Sequence, residues 1–267
     1  MRDRPFLDAV RSHSSVWEKW LEDKDLNKRV YASIRDRRYF LGILKRELSR
    51  RSGIKKSGAI LEEGCGTAID SCLLKREFPY AAFYAIDLSR EAVLLASKIS
   101  GLLGAPITVT EDDATATRFA PGHFDLIFSQ GLMEHFRAPE LLLLEQRRIL
   151  KDGGISVVSV PQRYSLFTIL KKSKMALGRW PHGWEREYSF SEMASLGEAS
   201  GFRVIGIDGY GFTLEDFVKN GVRRLGDNGV SRALIDLSDA VFSLIESSLG
   251  KPLRKRICKH IVAILEK

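Results

Sequence analysis

The chain has 267 residues, of which 44% are hydrophobic and 28% charged, and a formal net charge of +8 at pH 7. That length can bury a full core and the composition is that of an ordinary soluble protein, so one large α/β domain is the simplest reading. No apolar run approaches the roughly 20 residues that cross a bilayer, and the start, MRDRPFLDAV, lacks the apolar stretch of a secretory signal.

Three cysteines, Cys65, Cys72 and Cys258, form no CxxC pair. This argues against a disulfide framework or a cysteine zinc site and points to a reducing, cytoplasmic setting, with no metal expected. The charge is uneven. Residues 1–58 hold 16 Lys and Arg against 8 Asp and Glu, residues 59–250 hold 20 against 25, and residues 251–267 hold 6 against 1. Positive ends of this kind attract anionic partners, but they are equally the solvated face of a helix and a basic tail.

Residues 6–24 and 27–52 read as helices, with Val30, Ile34, Leu41, Leu44 and Leu48 at helical spacing on one face. From Ala59 onward short β-rich runs alternate with helical stretches. Strands are expected at 59–63, 82–87, 106–110, 124–129, 155–160, 203–208 and 257–265, with helices at about 67–77, 90–103 and 139–150 between the early ones. Such alternation predicts βαβ units and a parallel sheet. Ser89 is placed to cap the second of these helices and Pro139 to open the third, which Gly153–Gly154 would end. Ser191 and Met193 begin another short capped helix running to Ser200–Gly201. In an open parallel sheet, ligands lie beyond the carboxyl ends of the strands.

The first strand runs into Glu62-Glu63-Gly64-Cys65-Gly66-Thr67. Gly64 and Gly66 permit a tight turn and close approach of a ligand, and the helix that follows offers free N–H groups at the same spot. A dinucleotide loop would read GxGxxG with a phosphate at the helix start, yet the third glycine is missing here. Glu62, two residues before Gly64, repels a phosphate and favours a cationic ligand. By itself such a loop also fits a plain β–α turn. The second strand ends at Asp87, 23 residues after Gly64, the distance at which an acid accepts hydrogen bonds from ribose hydroxyls; alone it is equally a turn residue or part of a cap.

ILEEGCGTA, Ile60–Ala68, resembles the first motif of class I S-adenosylmethionine-dependent methyltransferases, an acid followed at one remove by GxGxG. Ala68 takes the third glycine position, a substitution expected to cost little, and Glu63 stands where the family is usually apolar. FDLIFSQGLMEHF, 124–136, resembles the family segment FDxVxSxxxLEH, with Asp125, Ser129, Glu134 and His135 in register, and 147–161 resembles the helix–turn–strand phrase before the fifth strand. The resemblance implies a Rossmann-like α/β fold. Its seven-stranded, mostly parallel sheet has helices on both faces and an antiparallel last strand. The implied cofactor is S-adenosyl-L-methionine, contacted by Glu62, Gly64, Cys65 and Gly66, by Asp87 at the ribose and Leu88 at the adenine. Asp113 and Ala114 would meet the adenine edge, with Asp112 an equal alternative to Asp113, and Ser129 and Gln130 the sulfonium end. Phe119 falls where relatives often carry an aromatic residue.

Methyl transfer from a sulfonium is an in-line displacement in which the cofactor carries the electrophile, and alignment alone is worth roughly 7–11 kcal/mol. A general base, about 10²–10⁴-fold, is needed only if the nucleophile must lose a proton. His135 and His182 are the candidate bases, each with a purely structural alternative. Residues 1–57 resemble the variable N-terminal lid of small-molecule methyltransferases, with Arg35–Phe40 (RDRRYF) placed to close over the cofactor. The methyltransferase core spans 58–267, with inserts at about 161–189 and 211–253. Tyr164, Trp180, Trp184 and Tyr188 in the first insert are the candidate substrate residues, unless the tryptophans only pack it down. The second insert carries an apolar face, Leu234, Leu237, Val241, Leu244 and Ile245, able to line a pocket, cover the sheet edge or form a homodimer.

The expected reaction is methylation of oxygen, nitrogen or carbon on a small or medium-sized metabolite. RNA or protein methylation is the alternative, motivated by the basic ends. It is weakened by Ser129-Gln130-Gly131-Leu132 in place of an NPPY-type segment, by the lack of a Pro-Cys pair and by the lack of an RNA-binding module. No obligatory nucleic acid is therefore expected. A non-catalytic cofactor-binding partner protein is the third reading.

Overall fold

Leu61 and Ile127 pack into one apolar cluster while Ile60, Leu126 and Phe128 pack into another, because successive strand side chains point to opposite faces of a sheet. The computed structural model describes residues 14–51, 53, 57–178, 184–224, 226 and 228–267. Its strands are β1 (Ala59–Glu63), β2 (Ala82–Asp87), β3 (Thr108–Glu111), β4 (Phe124–Gln130), β5 (Leu150–Pro161), β6 (Arg203–Phe212) and β7 (Cys258–Glu266). They form one sheet in the order β3-β2-β1-β4-β5-β7-β6. β1 runs parallel to β2 and β4, β2 to β3 and β4 to β5, while β7 is antiparallel to both β5 and β6. The sheet is the mostly parallel, seven-stranded one expected, with the last strand reversed.

The helices are α1 (residues 14–21), α2 (Leu26–Ile34), α3 (Arg38–Arg50), α4 (Ile69–Glu77), α5 (Arg90–Leu102), α6 (Pro139–Ile149), α7 (Leu166–Ala176), α8 (Phe190–Ala199), α9 (Thr213–Arg223), α10 (Gly229–Ser248) and α11 (Lys251–Ile257). Phe40, Leu41, Leu44 and Leu48 of α3 cover the sheet face that carries Ile60, Leu126 and Phe128, and α6 and α8 cover the other through Leu142, Leu143 and Met193. Each such fully buried side chain contributes roughly 1.5–3 kcal/mol.

The helix expected over 27–52 is two helices joined by a 3-10 turn, Arg35–Arg37. The halves bury against different partners: Leu26 and Val30 join Ile69, Leu95 and Ile99, while Leu41 to Leu48 lie on the sheet. The axis must therefore bend between them. Gly153–Gly154 does not end a helix; α6 stops at Ile149, and both glycines belong to β5. The cap of α8 is Ser189 rather than Ser191. Its hydroxyl accepts from the Glu192 N–H, and the Glu192 carboxylate accepts from the Ser189 N–H, a closed capping box. Ser89 and Pro139 stand at the helix starts expected of them. Because β1 to β4 are parallel, their carboxyl ends meet at one edge, where the site lies.

Candidate functional site

At that edge β1 turns into α4 through Gly64 (φ +62°) and Gly66 (φ +50°). Both need the left-handed region, and neither has room for a side chain. A Cβ on Gly64 would lie 2.7 Å from a Leu132 methyl, and one on Gly66 would lie 2.8 Å from the Trp17 ring. Ala68 also adopts positive φ, +49°, the lone non-glycine to do so among the described residues. That conformation costs an L-residue about 1–2 kcal/mol, so the missing third glycine is not the cheap substitution expected.

The loop is tied to the next strand end. Asp87 accepts from the Gly66 N–H (2.9 Å) with one carboxylate oxygen and from the Ser89 N–H (2.9 Å) with the other. Glu62 lies buried beneath the loop and accepts from the Ser71 N–H (3.1 Å) in the first turn of α4. Burial, and next the Asp70 charge, raise the Glu62 carboxyl above the usual range. Arg37 pairs with Asp70 and donates to the Thr67 hydroxyl (3.2 Å).

Around these groups lies a cavity of about 350 Å³. Its wall takes Glu62, Gly64, Cys65 and Gly66 from the loop, Asp87 and Leu88 from the end of β2, Asp112, Asp113 and Ala114 beyond β3, and Gln130 from the end of β4. Asp113 is held by the Thr115 N–H and hydroxyl (3.0 and 2.8 Å), and Asp112 accepts from the N–H groups of Asp113 and Arg118. The Gln130 amide donates to the Tyr210 hydroxyl (2.9 Å), which also bonds the Ser159 hydroxyl. Ser129 is not part of the wall. Strand alternation turns its side chain to the opposite face, where it is fully buried with no hydrogen-bond partner for its hydroxyl among the described residues. Phe119, too, packs elsewhere, against Tyr84, His123 and Phe124.

Val16, Trp17 and Arg37 complete the wall from the N-terminal segment, and Leu132, Glu134, His135, Phe136 and Glu185 from the far end. Arg37 belongs to the RDRRYF segment expected to cover the cofactor; its neighbours Arg38 and Tyr39 instead bind Glu215 of α9. Val16, Trp17 and Glu185 carry no sequence signal of a role at the site, and Glu134 stands only as a motif position in register with the family segment. The His135 ring donates from Nδ1 to the Trp184 carbonyl (3.2 Å), which makes Nε2 its basic nitrogen. The Glu134 carboxyl is buried at 5% exposure, with no hydrogen-bond partner for Oε2 among the described residues. Burial, then the Glu185 charge, push it up to about 8.

The residues expected to meet substrate are less well gathered. Tyr164 is exposed (70%) outside the wall. Tyr188 is a core residue whose hydroxyl donates to the Met133 carbonyl (3.3 Å), because its ring fills the space beneath the Glu134–His135 turn. Trp184 is not part of the wall; its ring lies under the Arg137 guanidinium, and its carbonyl accepts from the wall residue His135. Trp180 and His182 lie outside the described residues.

The site is rich in carboxylates and tight backbone turns and has one guanidinium, an arrangement that suits hydroxyls and a cationic ligand better than a pyrophosphate. Gly64 and Gly66 line the cavity, and Leu132 and Trp17 pack where Cβ atoms of a bulkier loop would fall. These residues fit S-adenosylmethionine.

Residues 61–158 match the family described as Methyltransferase domain. A malonyl-[acyl-carrier protein] O-methyltransferase of Herminiimonas arsenicoxydans is 35% identical over 95 residues, 36% of this chain and 34% of that protein. A ribosomal RNA small subunit methyltransferase C of Ectopseudomonas mendocina is 32% identical over 102 residues, 36% of this chain and 30% of that protein. The chain thus spans about a third of the length of these curated relatives. Haemonchus contortus phosphoethanolamine N-methyltransferase 2, solved with S-adenosyl-L-methionine, shares the fold with a TM-score of 0.58 at 16% identity, over 82% of this chain and 51% of that one. Strand order, glycine loop and family match agree: residues 61–158 match a methyltransferase domain and lie in a Rossmann-like sheet of the kind seen in solved methyltransferases.

Proposed function

We propose that this protein transfers the methyl group of S-adenosylmethionine to a small or medium-sized metabolite. The observation that carries the reading is the single 350 Å³ cavity joining the ends of β1, β2 and β4 to a roof at Trp17 and an ionisable end at Glu134 and His135. A volume of that size suits small ligands, whose sites span about 300–1,000 Å³. Asp87 would hold the ribose, Leu88 and Ala114 the adenine with Asp112 or Asp113 at its edge, and the glycine loop the amino-acid end, whose carboxylate Arg37 can meet. The cofactor supplies the electrophilic methyl group; the chain aligns an acceptor, excludes water and, where the acceptor carries a proton, offers the His135 ring. Residues 14–50 act as a lid.

Calorimetric titration with S-adenosylhomocysteine tests the placement. Asp87→Ala is expected to weaken binding at least tenfold and to leave the far-ultraviolet dichroism unchanged; normal binding by that variant removes the proposed ribose site. A second reading, RNA methylation, has in its favour the match to a ribosomal RNA methyltransferase and the basic chain ends. A salt-dependent shift of RNA mobility would support it. The apolar stripe on α10, with Val230, Leu237 and Leu244 exposed, keeps a homodimer as a proposal for sedimentation equilibrium. No helix among the described residues is long and apolar enough to cross a membrane. A cytoplasmic setting is part of the proposal and rests on three buried cysteines that form no disulfide among the described residues.

A further inference from the structure

The far end of the cavity holds more carboxyl groups than cations to pair with them. Glu134, from the turn after β4, and Glu185 both line it. Glu185 is bonded to Lys171 of α7 (2.8 Å), a lysine with a fully buried ammonium that also pairs with Glu187 (2.8 Å). Lys172 meets Glu187 from the surface (3.3 Å). The buried ammonium at this end is therefore already shared between two carboxylates, and among the described residues no ion pair is found for Glu134. Arg37, the guanidinium of the wall, is paired with Asp70 on the cofactor side. A buried carboxyl whose Oε2 lacks any partner is costly unless something completes it.

We infer that this end of the cavity, between Glu134 and Glu185, binds a cationic amine as methyl acceptor, an inference that rests on the methyl-transfer reading above. An ammonium supplies the positive charge that the Glu134 carboxyl lacks and an N–H donor for its Oε2, and Phe136 offers apolar wall beside it. An anionic acceptor would add negative charge beside Glu185, and an alcohol would leave the Glu134 carboxyl without a counter-charge. Once bound, the ammonium can pass one proton to the Glu134 carboxylate, so that carboxylate becomes carboxylic acid and the nitrogen regains its lone pair. The groups facing Glu134 are Glu185 and Lys171, with His135 beside it and the phenols of Tyr188 and Tyr210 within its field. In the empty site Glu134 keeps its proton up to about pH 8. Binding of a cation at neutral pH must therefore expel that proton into the buffer, whereas an alcohol expels none.

The test uses the full chain saturated with S-adenosylhomocysteine. Primary amines, and the alcohols and carboxylates of the same carbon skeletons, are titrated calorimetrically in buffers of different ionisation enthalpy. Amines are expected to bind at least tenfold tighter than their matched alcohols and carboxylates, with net proton release near pH 7. Glu134→Gln should abolish both the preference and the proton release, with S-adenosylhomocysteine affinity unchanged. The buffer dependence is read on the native chain, so it stands even if the variant does not fold. Equal or weaker binding of amines, or a preference that survives Glu134→Gln, overturns the inference and leaves methyl transfer intact. Failure of S-adenosylhomocysteine to bind overturns the underlying reading instead.

Discussion

Glu63 occupies a position that the family pattern reserves for an apolar side chain, and its surroundings explain how the chain tolerates it. The residue is fully buried. One oxygen accepts from the Gln146 amide (2.6 Å), whose own oxygen accepts from the Ser156 hydroxyl (2.7 Å), and the other oxygen has no partner among the described residues. Burial outweighs the Gln146 hydrogen bond and pushes the carboxyl from 4.5 up to about 8. Folded, Glu63 holds its proton until about pH 8; unfolded, it loses it near pH 4.5. Between these values the folded chain binds more protons, so stability falls as pH rises, by up to about 1.4 kcal/mol per pH unit for one such group. Glu63→Gln keeps the shape and the acceptor while removing the titration. It is expected to flatten the fall in denaturant midpoint between pH 5 and pH 8 and to be the more stable protein at pH 8. Parallel curves for variant and native chain would show that Glu63 does not hold its proton in the fold.

The glycine loop shows how one element constrains another. Gly66→Ala forces a positive φ on alanine, costing about 1–2 kcal/mol, and drives its Cβ into the Trp17 ring of α1. The two costs separate in a double-mutant cycle. Gly66→Ala should be less damaging by about 0.5–1 kcal/mol in a Trp17→Ala background, whereas additivity within about 0.3 kcal/mol would mean α1 does not rest on the loop. Sequence reading reached one partner of this contact and not the other. Gly64, Gly66 and Asp87 sit at strand ends whose order follows from local alternation, so spacing made them legible, whereas Gln130 follows from the resemblance of 124–136 to the family segment. Trp17 reaches the loop across nearly 50 residues of chain, and helical periodicity says which residues share a face but not what that face covers. The same limit hid Glu134: its neighbour His135 drew attention as a base, while the missing partner of Glu134 Oε2 becomes evident only when α7 and the turn after β4 are seen together. Ser129 falls outside the cavity wall for a simpler reason, since a strand places only alternate side chains toward a given site.

Across the whole molecule, the second insert is attached in an unusual sense. α10 turns Ser231, Ser238 and Asp239 inward and leaves Val230, Leu234, Leu237, Val241 and Leu244 exposed, with Phe242 its one large buried apolar side chain. Apolar burial therefore contributes little to holding it. Charge takes that place: Lys219 of α9, almost fully buried, bonds Glu215 (2.7 Å) and Asp239 (2.5 Å). Arg38 at the start of α3 reaches the same Glu215 (2.6 Å) and Asp239. Asp36, in the turn before α3, completes the link to Arg223 (3.0 Å). Burial disfavours the Lys219 charge, yet the hydrogen bonds to Asp239 and Glu215 prevail and raise its pKa above the usual value. Removing one member of a buried ionic network strands the others, at a cost of about 3–5 kcal/mol. Because Arg37, adjacent to Arg38, belongs to the cavity wall, the network joins the second insert to the lid. Lys219→Met is thus expected to speed amide hydrogen exchange together in residues 26–50 and 213–248 while β1 to β5 keep their protection. It should also weaken S-adenosylhomocysteine binding, although Lys219 does not line the cavity. Exchange that rises in 213–248 alone would mean the insert and the lid open independently.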